Sequence, residues 1–365
     1  MKGLYIHIPF CKTICSYCDF PKIIAKKDIH YTYIDKLLEE IDSYDTYLNN
    51  IDTIYIGGGT PNSVELDLLE KLFIRLENLL CKTIENTIEL NPELITEDLV
   101  ILLSKYNFNR ISLGVQTVNP KAIKLLNRHH SKENVINSIQ LLRKYNINNI
   151  NVDFIFGIPN TSISDLKADL DFILSLPITH ISYYSLILEE KTVLMYHYNK
   201  NKLELLDDDI IADMYEYIYK CLIENGYHHY EISNFAKPGY ESKHNLIYWN
   251  TFEYIGVGSG AAGYLNGYRY QNNRILNYYL KEIIEEKEFI DTSEAKKEFF
   301  MLGLRLIDGV SIDEYKNRFN SDPFIDFNLD DLIELNLLEF NNDIIKIKKD
   351  KLFVANLVFE RFVGD

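Results

Sequence analysis

The chain has 365 residues, 47% hydrophobic and 25% charged, with 54 acidic against 38 basic side chains and a formal net charge of −16. Such a length fills one large domain and a small second one, and the acidic balance argues against a nucleic-acid backbone as main partner, because proteins that grip phosphates display basic surfaces. No apolar run approaches the roughly eighteen residues that span a bilayer, and the N-terminus opens on a strand instead of a signal peptide, so a cytoplasmic protein that is not integral to a membrane is expected.

In chain order, a β-branched strand through Tyr5, Ile6, His7 and Ile8 runs straight into Cys11, Cys15 and Cys18. Periodicity then predicts helix over 31–48 (Ile34, Leu37, Leu38, Ile41) and a buried strand over 52–56. Helix over 64–80 precedes strand over 87–90, helix over 96–105 precedes strand over 110–115, and helix over 132–145 precedes strand over 150–156. Helix over 162–176 and strand over 180–188 complete six strands separated by helices. Such alternation predicts an α/β fold with a parallel sheet, a closed or partly closed barrel of the (β/α)6 type, with functional residues at the C-terminal strand ends.

A long helix over 207–224 leads into a less regular block, 227–270, rich in Gly, Tyr and His. From Ser293 the texture changes: helix over 294–307, a turn and cap at Gly309-Val310-Ser311, helices over 312–319 and 329–335, a hairpin over 338–347 and a last helix over 352–362. This predicts a radical change of architecture into a small helical domain with a β wing, winged-helix-like, with boundaries at 1–285 and 286–365. Winged modules often bind DNA, but the acidic segment 322–339 argues for a lid or docking surface.

Three of the five cysteines crowd into eight residues with spacing C-x3-C-x2-C, which sets three thiolates on one loop. Zinc sites close their shell with a fourth ligand, usually in paired C-x2-C knuckles, whereas three thiolates on a cubane leave one iron open to an outside ligand. Cys81 and Cys221, isolated in or beside helices, are expected in core packing, and an odd cysteine count fits a reducing compartment. Gly57-Gly58-Gly59-Thr60-Pro61 ends the second predicted strand; glycines let backbone amides approach a phosphate or the ammonium and carboxylate end of an amino acid, and alone they equally suit a tight turn. Glu89, Gln116, Arg128 and Asp153 lie in or after apolar strands. Each buried polar group there needs a partner in the fold or a ligand, and as a set at one barrel mouth they suit a ligand with amine, carboxylate and ribose hydroxyls.

The cysteine spacing resembles the signature of the radical S-adenosylmethionine (SAM) superfamily. Tyr-x-His-Ile-Pro-Phe-Cys, Gly-Gly-Gly-Thr-Pro, Glu-x-Asn-Pro, Gly-Val-Gln-Thr and Asp-Phe-Ile-Phe-Gly-Ile-Pro, in this order, resemble the oxygen-independent coproporphyrinogen III oxidase family and its HemW-type haem chaperone branch. The resemblance implies a [4Fe-4S] cluster on Cys11, Cys15 and Cys18, and SAM contacts from Tyr5, Tyr17, Gly58, Gly59, Thr60, Glu89, Gln116, Arg128 and Asp153. The oxidases carry an N-terminal extension and a further Cys two positions beyond the third ligand; here the motif starts ten residues in and Phe20 fills that position. The block His244-Asn245-Leu246-Ile247-Tyr248-Trp249 matches the His-Asn-x-x-Tyr-Trp stretch associated with haem in the chaperones, which implies His244 as an axial ligand with Tyr248 and Trp249 against the ring; a buried His-aromatic cluster is the structural alternative. After Gly258-Ser259-Gly260-Ala261 the family usually has His, where this chain has Ala262. The implied partners are haem and haem-accepting proteins, membrane respiratory proteins among them, and the implied function is haem delivery; the rival is oxidative decarboxylation of coproporphyrinogen III to protoporphyrinogen IX.

Overall fold

In a computed structural model, which describes residues 1–363, the strands β1 (Gly3–Ile8), β2 (Thr53–Gly58), β3 (Glu85–Leu90), β4 (Arg110–Gln116), β5 (Asn149–Phe156) and β6 (His180–Ser185) lie parallel and consecutive. Their alternation explains the order. Leu4, Ile6 and Ile8, then Ile54 and Ile56, Ile111, Leu113 and Val115, and Ile150, Val152 and Phe154 are buried in one continuous core with Leu69, Leu72 and Leu76 of the helix Leu66–Leu80 and their counterparts on neighbouring helices. The intervening positions, Tyr55, Glu89, Ser112, Asp153 and Ser182 among them, are left to the opposite, inner face.

Local chemistry sets the crossovers. Thr96 caps the helix Glu97–Lys105, and Ser131 and Ser162 form capping boxes on Lys132–Lys144 and Ile163–Leu174. Asn107 and Asn146 follow the first two of these in left-handed conformation, φ 57° and 64°, which Asn tolerates better than other side chains with a Cβ. The first helix runs Lys27–Ser43 and breaks at Tyr44, short of the continuous span expected.

The block expected to be irregular supplies short strands that extend the sheet at both edges: β7 (His228–Glu231), β8 (Asn234–Ala236), β9 (Tyr254–Val257), β10 (Ala262–Leu265), β11 (Tyr268–Asn272) and β12 (Ile284–Phe289). The order is β12-β11-β10-β9-β1-β2-β3-β4-β5-β6-β8-β7, so the barrel stays open, with β9 parallel to β1 and the outer strands antiparallel.

A second core forms around Phe300, Leu304, Tyr315, Leu332 and Ile345, with a sheet of β13 (Val310–Ser311), β14 (Leu338–Asn341) and β15 (Ile344–Ile347). The expected last helix is a 3-10 turn, Lys349–Val354, and a short helix, Asn356–Phe359. Leu352, Ala355 and Val358 recur every third residue, which a 3-10 path buries as well as an α-helix does. This domain joins the barrel through Arg305, whose carbonyl accepts from Ile232 N–H (3.2 Å) and whose guanidinium stacks on Trp249 (4.5 Å) and faces Glu231 (3.8 Å). None of its described residues lines the cavity at the strand ends; its contacts to the barrel through Arg305 are those of a docked domain. No described helix is long and apolar enough to cross a membrane.

Candidate cofactor site at the strand ends

The cysteine loop leaves β1 and is held from three sides. Cys11 N–H donates to Ile23 O (3.0 Å), Ser16 Oγ donates to Leu125 O (2.6 Å), and Asn127 Nδ2 donates to Ile14 O (2.8 Å). His7, below the loop, is held by burial down to about 4 and is neutral at pH 7. Because the Pro21 carbonyl only accepts, His7 Nε2 carries the proton toward it (2.8 Å), and Nδ1 accepts from Tyr5 Oη (2.9 Å). Tyr5 thus orients His7, and it does not reach the cavity wall as the resemblance implies.

All three thiols are half-buried. Burial pushes the Cys11 thiol up and the Cys18 thiol up to about 11. Thr60 Oγ1 donates to Cys11 Sγ (3.5 Å) and Arg128 Nη1 to Cys15 Sγ (3.8 Å), and the Lys22 ammonium holds the Cys18 carbonyl. Such donors stabilise thiolate, and a positively charged inorganic centre held by these three residues would supply the rest of the cost of deprotonation. Among the described residues no group of three or more His, Cys, Asp or Glu is set to hold one metal ion.

The glycine turn is shaped by contact. A Cβ on Gly57 would stand 2.8 Å from the Glu89 carboxyl carbon, one on Gly59 would stand 3.0 Å from Cys11 Sγ, and Gly58, at φ +114°, would drive one to 2.6 Å from the His7 ring. The amide expectation needs correction. Gly58 N–H donates to Glu89 Oε2 (3.0 Å), Gly59 N–H to Ile8 O (2.8 Å) and Thr60 N–H to Phe10 O (2.8 Å). The N–H groups of Gly58, Gly59 and Thr60 are thus engaged inside the fold and are not free donors for a phosphate or a carboxylate.

Beside this turn a cavity of about 350 Å³ is lined by Cys11, Cys15, Cys18, Tyr17, Gly58, Gly59, Thr60, Glu89, Gln116, Arg128 and Asp153. These eleven positions, drawn from five stretches of sequence, share one wall because the parallel strands end together. Glu89 accepts from Tyr55 Oη (2.8 Å) as well as from Gly58, and burial, reinforced by Asp153, pushes its carboxyl up to about 7. Burial also raises Asp153, which accepts from Ser112 Oγ (2.9 Å) and Asn151 Nδ2 (2.8 Å). Arg128 is 8% exposed and donates to Asn91 Oδ1 (3.0 Å) and Gly114 O, yet its Nε has no partner. Gln116 sits at φ +70° beside a register shift in β4, a strained conformation of the kind that re-aims a side chain at a site. A cradle that a Cβ would fill, two carboxylates and an orphaned guanidinium nitrogen fit SAM's ammonium, carboxylate and ribose.

Sequence reasoning missed Arg110, Ser112, Asn91, Asn151 and Tyr184 on the same wall. A signal was present: Arg110, Ser112, Gly114 and Gln116 occupy alternate positions of β4 while Ile111, Leu113 and Val115 fill the core. Cys81 is exposed, with Asn107 Nδ2 at 3.4 Å, because it follows the last turn of its helix on the solvent side; the core-packing expectation is wrong for it.

His244 lies at the opposite end of the strands. It is fully buried on the helix Lys243–Trp249, beneath the first residues of β1 and β2, with Nδ1 at 2.7 Å from Thr53 Oγ1 and Nε2 at 2.8 Å from Tyr248 Oη. Glu85 accepts from the N–H groups of Lys243 and His244, both at 3.0 Å, and fastens the helix start. With both ring nitrogens engaged and no solvent access, His244 does not fit an axial haem ligand in this arrangement, and the buried His-aromatic alternative describes it. Trp249 packs on Arg305 at the domain junction instead of walling a haem pocket.

Residues 5–173 match the radical SAM superfamily profile and residues 290–350 the HemN C-terminal domain profile. The chain is 39% identical over 372 residues to "Heme chaperone HemW" of Lactococcus lactis, covering 100% of this chain and 98% of the relative. It is 35% identical to the Bacillus subtilis HemW, with both chains covered in full (100%), and 32% identical to that of Escherichia coli, with 84% of this chain and 83% of the relative covered. Among solved structures, coproporphyrinogen III oxidase (HemN) from Escherichia coli superposes with TM-score 0.84 at 20% identity over 99% of this chain and 89% of that one, a likeness of fold.

Proposed function

The chain belongs to the HemW family of the radical SAM superfamily, and from that membership we propose that it is a cytoplasmic haem chaperone that binds a [4Fe-4S] cluster and SAM and delivers haem to haem proteins. The observation that carries the reading is the single cavity onto which Cys11, Cys15 and Cys18, the glycine turn, Glu89 and Asp153 all open, in a chain matched end to end by HemW.

In this reading the three cysteines hold the cluster, which supplies an iron open to the amino-acid end of SAM. Gly58, Gly59 and Thr60 receive the methionyl end, and Tyr17, Glu89, Gln116, Arg128 and Asp153 take the remaining polar groups. Glu89 and Asp153 bind as carboxylates, Arg128 offers its unpartnered Nε, and Thr60 and Arg128 keep donors on the thiolates. Haem is cargo. Its acceptors, membrane respiratory proteins among them, come to this chain from the family alone, and His244 is not assigned to the iron.

Anaerobic purification and cluster reconstitution, followed by absorption spectra with and without haem, test the proposal. Retention of haem by the cluster-loaded protein, with SAM bound and coproporphyrinogen III untouched, is expected. Consumption of coproporphyrinogen III with SAM cleavage and no haem retention would replace the chaperone reading with the oxidase one.

A further inference from the structure

Arg110 opens β4 at the inner end of the cavity and is 2% exposed, yet its Nε has no hydrogen-bond partner among the described residues. A buried guanidinium left in this state requires a reason, because desolvating an uncompensated charge is costly. Its place in the sheet supplies one. Ser112, next on the same face of β4, pairs in register with Glu89 of β3 and Asn151 of β5, and donates to Asp153. Arg110 therefore sits one same-face step beneath the level of Glu89 and two beneath that of Asp153, which pairs with Gly114, on the same cavity wall. Both are already hydrogen-bonded by neutral groups, Glu89 by Tyr55 and Gly58 and Asp153 by Ser112 and Asn151, so Arg110 acts on them as a charge and not as a donor.

We propose that Arg110 is the positioning residue of this cavity: its fixed positive charge favours the carboxylate forms of Glu89 and Asp153 and so sets the pH range over which these two groups take the polar groups of SAM beyond its methionyl end. The proposal rests on the SAM reading for its ligand and on geometry for its charge. Arg128, on the same wall, is a second guanidinium, engaged with Asn91, Gly114 and Cys15; the tyrosines and histidines around the pair are neutral near pH 7. Tyr5, Tyr55 and Tyr248 are pushed well up by burial, Tyr184 likewise, and His180 and His244, which face Arg110 from below, are held down by burial and then by Arg110 itself. Arg110 is the fixed cation that lowers both Glu89 and Asp153 against their burial.

Two measurements decide it, on wild type, Arg110→Met and Arg110→Lys. In the first, SAM affinity of the cluster-loaded protein is followed from about pH 6 to about pH 9. Each pH unit by which Arg110→Met displaces the midpoint upward weakens binding near pH 7 by roughly tenfold, with convergence on wild type at the alkaline end and restoration by Arg110→Lys. The second uses ligand-free protein and follows unfolding temperature over the same range. Glu89 binds its proton more tightly folded than unfolded, so its ionisation lowers stability as pH rises from about 4.5 toward about 7. In Arg110→Met that decline continues to higher pH, and adding Glu89→Gln removes the extension. Parallel unfolding profiles for wild type and Arg110→Met overturn the proposal, as does Arg110→Lys behaving like Met. Should Arg110→Met fail to fold, the Glu89→Gln double variant must recover folding, and its failure to do so counts against the charge role. Absence of SAM binding by wild type at every pH overturns the SAM reading, while the unfolding series still decides the role of Arg110.

Discussion

His244 Nδ1 stands 2.7 Å from Thr53 Oγ1, a buried hydrogen bond between residues 191 apart in sequence that closes the barrel floor. Replacing His244 by Ala removes this bond and the one to Tyr248 and leaves a cavity. A loss of about 2–4 kcal/mol is expected, read as a lowered denaturation midpoint, with the iron-sulfur spectrum retained. Any haem bound by the folded variant keeps its wild-type spectrum; a displaced Soret band would return His244 to the iron.

Burial holds His244 down to about 3, with Arg110 adding to the effect. Unfolded, its imidazole takes up a proton near pH 6.5, so the unfolded state binds more protons and stability falls as pH drops below that value toward about 3. His244→Asn keeps a polar group but not this titration. Denaturation at about pH 7 and about pH 5 should show a smaller acid penalty for the variant than for wild type.

Gly58 cannot carry a side chain where it is. Gly58→Ala combines φ +114° with a Cβ pressed on the His7 ring, and about 1–3 kcal/mol of destabilisation is expected together with weakened cluster retention, since His7 braces the loop through Pro21. Thermal unfolding and iron content per chain measure both.

The cysteines should separate cleanly. Cys15→Ala should lose the broad iron-sulfur absorption of reconstituted protein, whereas Cys81→Ala, at an exposed site, should leave both the absorption and the stability unchanged within about 0.5 kcal/mol. Full cluster content in Cys15→Ala would remove the assignment.

Arg305 holds the C-terminal domain to the barrel. Arg305→Ala unstacks Trp249 and strips Glu231 of its one charged partner among the described residues, while Glu231 Oε2 already lacks a hydrogen bond there. About 1–3 kcal/mol is expected, below a fully buried pair because Arg305 is partly exposed. The protein's single tryptophan reports it directly through a changed emission of Trp249.

The features written in short stretches of sequence were legible there. The cysteine spacing, the glycine turn and the alternation of six strands with capped helices depend on neighbours a few residues apart, and periodicity exposes them. The sequence by itself also determined that polar side chains would face the lumen at alternate positions of β4. It could not tell which of those polar residues find partners, because partnership depends on strand register across tens of residues. Register put Ser112 between Glu89 and Asn151, from where its hydroxyl reaches Asp153, and left Arg110 beneath them with no partner for its Nε. Tertiary structure alone decided His244. A histidine beside a tyrosine and a tryptophan reads equally as an iron ligand or as a core residue, and only the return of its helix beneath β1 and β2, where Thr53 and Tyr248 saturate both ring nitrogens, removes it from the surface. The edge strands were invisible for a similar reason: at three to six residues they carry too few alternations to stand out, and the long-range pairing that makes them strands is set by the sheet they join.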